Sequence, residues 1–181
     1  MTSNLLQSPA PQRYRDAVER YSAAVRGHFQ RSLGEFLHEV EPALSALYST
    51  AAGLPEVPPD TEHVPESPGH GDEYRKLQGS LAALLGRYDS YRDIFDPSDV
   101  EDREPVQYLL SLDLLEVLED VDRGQSLLEP AQGIAVADVL WQWRFDFTSH
   151  WGRHAATAIK VINSLLYTQF VDALEERRPD A

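Results

Sequence analysis

The stretch of sequence that decides the fold is residues 136–166, VADVLWQWRFDFTSHWGRHAATAIKVINSLL, in which apolar side chains recur every three or four positions. A helical wheel at about 100° per residue, with Trp143 at zero, gathers one apolar stripe within roughly 60° of its centre. The stripe contains Val136, Val139, Leu140, Trp143, Phe147, Ala158, Val161 and Leu165. This periodicity predicts a long helix that packs its apolar face against other helices.

Two histidines lie in the middle of that apolar stripe. His150 and His154 are four residues apart, and Asp146 precedes them by one turn at the stripe's edge. A pair of histidines at this spacing can offer two nitrogens of one helix to a metal. Three interpretations stay open: core histidines bonded to neighbours, a buried polar ligand site without metal, and a metal site with both histidines as ligands. We expect both rings to be mostly buried and at least one to bond a carboxylate or carbonyl of another helix.

A second apolar stripe occupies the opposite side of the same helix, around a middle of small residues. It consists of Trp141, Phe145, Ile159, Leu166 and Phe170. A helix that is apolar on both sides is usually the centre of its bundle, which is the interpretation we favour. The alternative is a docking face for a second copy of the chain, since small residues permit close helix approach and aromatic residues anchor interfaces.

The preceding helix carries a row of acids. Asp113, Glu116 and Asp120 are spaced three and four residues apart and therefore share one face. They could bind a hard cation, meet the basic residues of a partner, or form a solvated charged face. His150, His154 and Arg144 are candidate partners within the chain. The predicted polar site therefore consists of Asp113, Glu116, Asp120, Asp146, His150 and His154.

The rest of the sequence predicts an all-α, single-domain bundle of five or six helices. We expect a flexible N-terminus at residues 1–10, a bundle over residues 11–176, and a long loop at residues 53–70 that contains five prolines. Pro9 and Pro11 are expected to open the first helix, and Pro42 to kink or restart the second.

Helix boundaries in the middle of the chain follow from apolar spacing and turn residues. One helix is expected from Asp72 to Phe95, and the next is expected to carry Pro105 in its first turn and to end at Gly124. Alternation of apolar and polar residues is too short anywhere to predict more than a two-stranded ribbon.

Charge and composition exclude several classes of function. The 16 basic residues against 30 acidic ones give 16 − 30 = −14, which disfavours binding to nucleic-acid phosphates and to anionic membranes. No apolar run approaches the roughly 20 residues of a membrane helix. The absence of cysteine removes disulfides, thiol catalysis and cysteine-bound zinc.

The expected setting is the cytoplasm of a bacterium. The opening MTSNLL has neither the basic patch nor the apolar core of a signal peptide, so we expect a cytoplasmic location. Arginine outnumbers lysine 14 to 2, which is typical of a GC-rich bacterial genome.

Four segments of the chain resemble an uncharacterised family of small all-helical bacterial proteins, catalogued as a domain of unknown function. The segments are LSALYSTAAGLPEV at 44–57, YRDIFDP at 91–97, DLLEVLEDV at 113–121 and WRFDFTSHWGRHAATAI at 143–159. They resemble the family's "LYxxAxxLPxV", "FDP", "DLxDxxxDL" and "HWGxH" patterns in order and spacing, over about residues 30 to 170. Glu116 stands where the pattern tends to have Asp. The resemblance implies an all-helical fold and no particular activity.

The sequence lacks a phosphate loop, a nucleophile elbow and a kinase signature. We therefore predict a non-catalytic binding or adaptor module for a protein partner of basic charge, without cofactor, catalytic residues or bound metal. The alternative is a metal-dependent hydrolase that uses His150, His154 and the helix carboxylates. A third hypothesis is an acidic protein that imitates nucleic acid and occupies a basic groove.

Overall fold

A computed structural model describes residues 5–61, 71–94, 99–101, 103–129 and 133–167 of the chain. The elements in chain order are α1 (Pro9–Arg26), α2 (Leu33–Ala52), α3 (Gly71–Leu85), β1 (Ser90–Ile94), β2 (Pro105–Leu109), α4 (Leu110–Ser126), α5 (Val136–Asp146), a π-helical turn (Phe147–Trp151) and α6 (Gly152–Tyr167). Helix α5, the π turn and α6 follow one another without interruption. The architecture confirms the predicted all-α bundle of five or six helices.

The first two helices begin with the local signals that their sequences carry. Helix α1 has proline in its first turn, where a missing N–H costs nothing. A capping box opens α2: the Ser32 hydroxyl accepts from the Glu35 N–H, and the Glu35 carboxylate accepts from the Ser32 N–H. Helix α2 continues through Pro42 without the restart that the proline predicted, and it ends before Gly53.

The predicted helix from Asp72 to Phe95 is wrong in its second half. Helix α3 ends at Leu85 because Gly86 adopts a φ of 54°, a left-handed conformation that breaks the helix. A 3₁₀ turn (Gly86–Tyr88) then leads to β1, which pairs antiparallel with β2, and Tyr91 lies opposite Tyr108. This ribbon is the only sheet among the described residues, and Phe95 lies outside them.

Pro105 opens β2 and not a helix, since proline is also tolerated as the first residue of a strand. Helix α4 begins at Leu110 and receives its cap from a distant residue. The Asp89 carboxylate accepts the Ser111 N–H at 2.7 Å and the Ser111 hydroxyl at 3.0 Å. The ribbon is thereby fixed to the start of α4.

The core lies where α1, α2, α4, α5 and α6 meet. Its largest fully buried side chains include Tyr14, Tyr21, Phe36, Trp143 and Trp151. Helix α2 packs against α1 and α6, and α4 packs against α3 and α6. Burial of these side chains supplies most of the free energy that favours folding.

Gly124 does not end α4, which continues to Ser126. Its role is close approach: the Trp143 indole N–H donates to the Gly124 carbonyl at 2.8 Å, and a Cβ at this glycine would lie 2.8 Å from the ring. The glycine therefore permits α5 to lie directly on α4.

The π turn changes the register of the long C-terminal helix. The Gly152 N–H bonds to the Phe147 carbonyl five residues earlier, so the turn contains one residue more than an α-helical turn. A helical wheel at constant angle therefore fails beyond it. Four buried positions, Trp151, Ala155, Ile162 and Leu166, each lie one residue after the predicted His150, His154, Val161 and Leu165, whereas Ala158 is buried as the wheel predicted.

The predicted domain boundaries, residues 11 and 176, stay predictions. Helix α1 begins at Pro9, and residues 1–4, 62–70 and 168–181 lie outside the described part of the chain. The described start of the Pro-rich loop, residues 53–61, has no helix or strand. Within the described ranges, no helix combines the length and apolar character needed to cross a membrane.

Candidate functional site

Two histidine–aspartate pairs join α4 to the C-terminal helix. His150 Nδ1 lies 2.8 Å from Asp120 Oδ2, and His154 Nδ1 lies 2.8 Å from Asp113 Oδ1. Seven residues separate Asp113 from Asp120, which places them two turns apart on one face. The two imidazole rings lie edge to face with centroids 5.0 Å apart. The site is therefore a double row of acids and histidines between two helices.

The His154 pair is completed by a tyrosine of the ribbon. The Tyr91 hydroxyl donates to Asp113 Oδ2, so the buried carboxylate accepts on both oxygens. Burial, and next the hydrogen bond to Asp113, raise the pKa of Tyr91. Tyr91 thus keeps its proton and acts as a donor. With two donors, the buried carboxylate satisfies the requirement that buried polar groups be hydrogen-bonded.

The His150 pair is completed by an arginine of α4 itself. Arg123 forms an ion pair with Asp120 one turn away. On its other side, His150 Nε2 lies 3.8 Å from Glu116 Oε2. Asp120 is buried, whereas Glu116 is partly exposed at the site's edge.

Asp146 lies behind this pair and is the least well paired acid of the site. Its Oδ1 accepts from Gln142 at 2.7 Å and lies 3.8 Å from Arg123, whereas its buried Oδ2 has no hydrogen-bond partner among the described residues. Burial, and next the charge of Asp120, raise the pKa of Asp146 to about 6. Asp146 is therefore the acid whose ionisation the folded chain opposes.

The structure brings the six predicted polar-site residues together but corrects their environments. The side chains of His150 and His154 are 38% and 21% exposed, so both are mostly buried as expected, but neither is enclosed in the core. The π turn moves them from the core to its edge. Asp113 and Asp120 are buried, so the solvated-face interpretation is wrong for both.

Arg144 is not a partner of the acidic residues of α4. Its guanidinium donates to the Leu54 carbonyl at 2.9 Å and to the Glu56 carboxylate at 2.7 Å. These bonds attach α5 to the start of the Pro-rich loop. Asp138 attaches the same loop, since its carboxylate accepts from the N–H groups of Asp60 and Thr61.

Sequence reasoning missed three polar residues of the site. Arg123 lies three residues after Asp120, and Gln142 lies four before Asp146, so helical spacing could have identified both. Tyr91 belongs to a segment that the apolar pattern predicted as helix, and nothing in the sequence pairs it with Asp113.

In each histidine of the site, a hydrogen bond from Nδ1 to a carboxylate fixes the orientation of the ring. A carboxylate accepts only, so Nδ1 must carry the proton and Nε2 is left as the nitrogen for another partner. The same arrangement fixes histidines that bind metals or accept protons. Within the described residues, no group of three or more His, Asp or Glu side chains is placed to hold a metal ion.

A pocket of about 410 Å³ opens beside the His154 pair, between the ribbon and α6. Tyr91 and Tyr108, stacked with centroids 5.7 Å apart, belong to its lining on the ribbon side. The other lining residues are Asp93, Ile94, Asp113, Arg153, His154, Ala156, Thr157 and Lys160.

The predicted interface stripe is divided by the π turn. Phe145 is 47% exposed and stacks on Trp141, with centroids 4.9 Å apart, whereas Leu166 is buried in the core. The central-helix interpretation therefore fails at Phe145, and the interface interpretation fails at Leu166. Ile159 is partly buried against the core, and Phe170 lies outside the described residues.

Trp141 and Phe145 border a groove of about 340 Å³ against the start of the Pro-rich loop. We call these two residues and the groove beside them the aromatic surface. The groove is lined by Glu56, Val57, Pro58, Trp141, Arg144, Phe145 and Thr148.

Fold and site together define an all-helical bundle with two cross-helix histidine–aspartate pairs. The chain belongs to the family of the domain of unknown function DUF5063, whose match covers residues 8–168. This confirms the resemblance found in the sequence.

The fold is similar to that in the crystal structure of protein BF1032 from Bacteroides fragilis. That protein is 17% identical to this chain, with a TM-score of 0.76, and the superposition covers 91% of this chain and 96% of that one. No curated protein matches the chain by sequence.

Proposed function

We propose that the protein is a cytoplasmic, non-catalytic binding module that holds a protein partner on the aromatic surface. The observation that carries this proposal is the exposure of Phe145, nearly half of whose surface faces solvent while it stacks on Trp141 beside a groove. Aromatic side chains that border a concave surface are the residues that most often anchor protein interfaces.

The negative charge of the protein favours a partner of basic charge. The net charge of −14 favours a basic polypeptide, which electrostatic attraction would also guide into contact. Glu56 on the loop side of the groove is paired with Arg144, and Asp60 is exposed further along the same loop. The expected occupant is a segment of a partner protein in which an aromatic or large aliphatic residue is flanked by Lys or Arg.

Selection from a random-peptide display library tests this proposal. Peptides selected on the wild-type protein are synthesised, and their affinity is measured by titration calorimetry. The expected result is enrichment of basic sequences with one apolar anchor. Phe145→Ser should weaken their binding by about thirtyfold or more, the size of an interface hot-spot residue.

Phe29→Ser is the matched control, because Phe29 is an exposed phenylalanine in the segment between α1 and α2. It should leave peptide affinity unchanged. The proposal is wrong if no peptides are enriched, or if Phe145→Ser leaves their affinity unchanged. It is also wrong if light scattering shows a dimer that Phe145→Ser dissociates, because the surface then binds a second copy of the chain.

The second candidate function is a metal-dependent hydrolase. It is supported by the Nδ1 hydrogen bonds of His150 and His154 to carboxylates, the outer-sphere contact typical of metal-binding histidines. Glu116, 3.8 Å from His150 Nε2, is the neighbouring carboxylate that could take part. Titration with Zn²⁺ tests it: stoichiometric binding that His150→Ala abolishes supports a metal site, and no binding removes this candidate.

A further inference from the structure

We propose that the pocket between the ribbon and α6 binds a small aromatic carboxylate, at a site separate from the aromatic surface. The volume of about 410 Å³ lies in the usual range for small-molecule sites, which combine apolar or aromatic walls with a few converging polar groups. The pocket residues are different from those of the groove beside Phe145.

The ribbon supplies an aromatic wall. Tyr91 and Tyr108 face each other across the two strands and stack at an interplanar angle of 21°. The hydrogen bond from Tyr91 to Asp113 holds this wall against α4. A flat ring has favourable offset or edge contacts with such a pair. Ile94, Ala156 and Thr157 add apolar surface, and the small Ala156 leaves room for the ring.

Two acids and two bases line the pocket, and the side chain that has no partner among them is basic. Lys160 donates to Asp93 at 2.8 Å, an ion pair whose hydrogen bond lowers the pKa of that acid. Asp113 is paired with His154 and Tyr91. The Arg153 side chain makes no hydrogen bond or ion pair with another described residue, so its charge is the one that a ligand would neutralise. A guanidinium binds a carboxylate through two parallel hydrogen bonds.

His154 supplies a further polar contact. Its Nδ1 is fixed by Asp113, and the residue lines the pocket with Nε2 left over. That nitrogen accepts from a ligand hydroxyl when the ring is neutral and donates to an oxygen when the ring is charged. The proposed ligand is therefore a small aromatic carboxylic acid, and a hydroxyl group on its ring is compatible with a hydrogen bond to Nε2 of His154.

Binding of 4-hydroxybenzoate, compared with 4-hydroxybenzamide and acetate, tests the proposal. Saturation-transfer NMR and titration calorimetry should show saturable binding of the acid, binding about tenfold or more weaker for the neutral amide, and none for acetate, which lacks the ring. Arg153→Gln should weaken the acid's binding by a similar factor. Arg20→Gln, at an exposed arginine of α1, is the control and should change nothing.

A second variant fixes the place of binding. Ala156→Leu adds bulk to the pocket lining at an exposed helix position, so the fold should persist while binding is lost. The proposal is overturned if 4-hydroxybenzoate does not saturate the protein, if acid and amide bind equally, or if Arg153→Gln has no effect. Full binding to Ala156→Leu would place the anion outside the pocket and would overturn it as well.

Discussion

His154 Nδ1 lies 2.8 Å from Asp113 Oδ1, and through this bond α6 is joined to a buried carboxylate of α4. The same carboxylate accepts from Tyr91, so one acid connects α4, α6 and the ribbon. The second pair, of His150 and Asp120, repeats the contact two turns of α4 further on. These bonds complement apolar packing, since burial alone does not fix how one helix is rotated against the next.

Replacing His154 with Ala should lower the free energy of unfolding by about 1 to 3 kcal/mol, because a buried carboxylate loses one of its two donors. Urea denaturation followed by circular dichroism measures this change. His38→Ala is the control, since His38 is an exposed histidine of α2, and it should stay within about 0.5 kcal/mol of wild type. An equal effect of both variants would show that the cross-helix pair does not stabilise the fold.

The two glycines Gly152 and Gly79 should respond to alanine with opposite signs. A Cβ at Gly152 would lie 2.4 Å from the Phe147 carbonyl oxygen and 3.0 Å from its ring, so Gly152→Ala should cost about 1 to 3 kcal/mol. Gly79 lies within α3 with nothing within 4 Å of its missing Cβ. Gly79→Ala should therefore stabilise the protein by about 0.5 to 1 kcal/mol.

Thermal and urea denaturation of both variants test this pair of predictions. If Gly152→Ala restores a regular α-helical turn, the two histidines move by one helical position relative to α4. The Nδ1 hydrogen bonds to Asp113 and Asp120, followed by NMR, should then also be lost. Unchanged stability and unchanged histidine resonances in Gly152→Ala would contradict the role assigned to the π turn.

Much of the fold was predictable because helix signals are local. Pro9 in a first turn, the Ser32–Glu35 capping box and the apolar spacing of α1, α2 and α4 act within a few residues. The ribbon was not predictable in this way. Its strands are short, and the paired Tyr91 and Tyr108 lie in segments that the apolar spacing predicted as parts of two helices.

The candidate site was predictable in its members but not in its geometry. Spacing placed Asp113 and Asp120 on one face and His150 and His154 on another, and the structure brings these faces together. The wheel placed the histidines too deep, because one additional residue in the π turn rotates everything after it. Apolar residues occur at both sets of positions after the turn, so apolar periodicity alone does not locate the additional residue, although Gly152 is the chemical signal that permits it.

Phe145→Glu should yield a folded protein of nearly wild-type stability, because Phe145 is already 47% exposed. Ile162→Glu is the matched change at a fully buried position of α6 and should prevent stable folding, since a buried unpaired charge is strongly unfavourable. Thermal melts with circular dichroism distinguish the two. Loss of folding in Phe145→Glu would show that the aromatic surface belongs to the core of the bundle.

Asp146 makes the stability of the folded protein depend on pH. Burial and the charge of Asp120 raise the pKa of Asp146 to about 6, against about 3.9 in an unfolded chain. Between these values the folded state binds more protons than the unfolded state, so this group's contribution to stability falls as pH rises from about 4 to about 6. Above pH 6 the folded protein holds an unfavourable buried charge.

Asp146→Asn removes that charge and keeps an oxygen that can accept from Gln142. The variant should be more stable than wild type at pH 7 to 8, by at most about 2 to 3 kcal/mol, and the difference should vanish below about pH 4. Urea denaturation at a series of pH values measures the difference. Asp16→Asn, at an exposed position of α1, makes the same change in charge and should give a difference that varies little with pH. A stability difference for Asp146→Asn that is constant with pH, or one that favours wild type at pH 7, would show that ionised Asp146 is well accommodated beside Arg123 and His150.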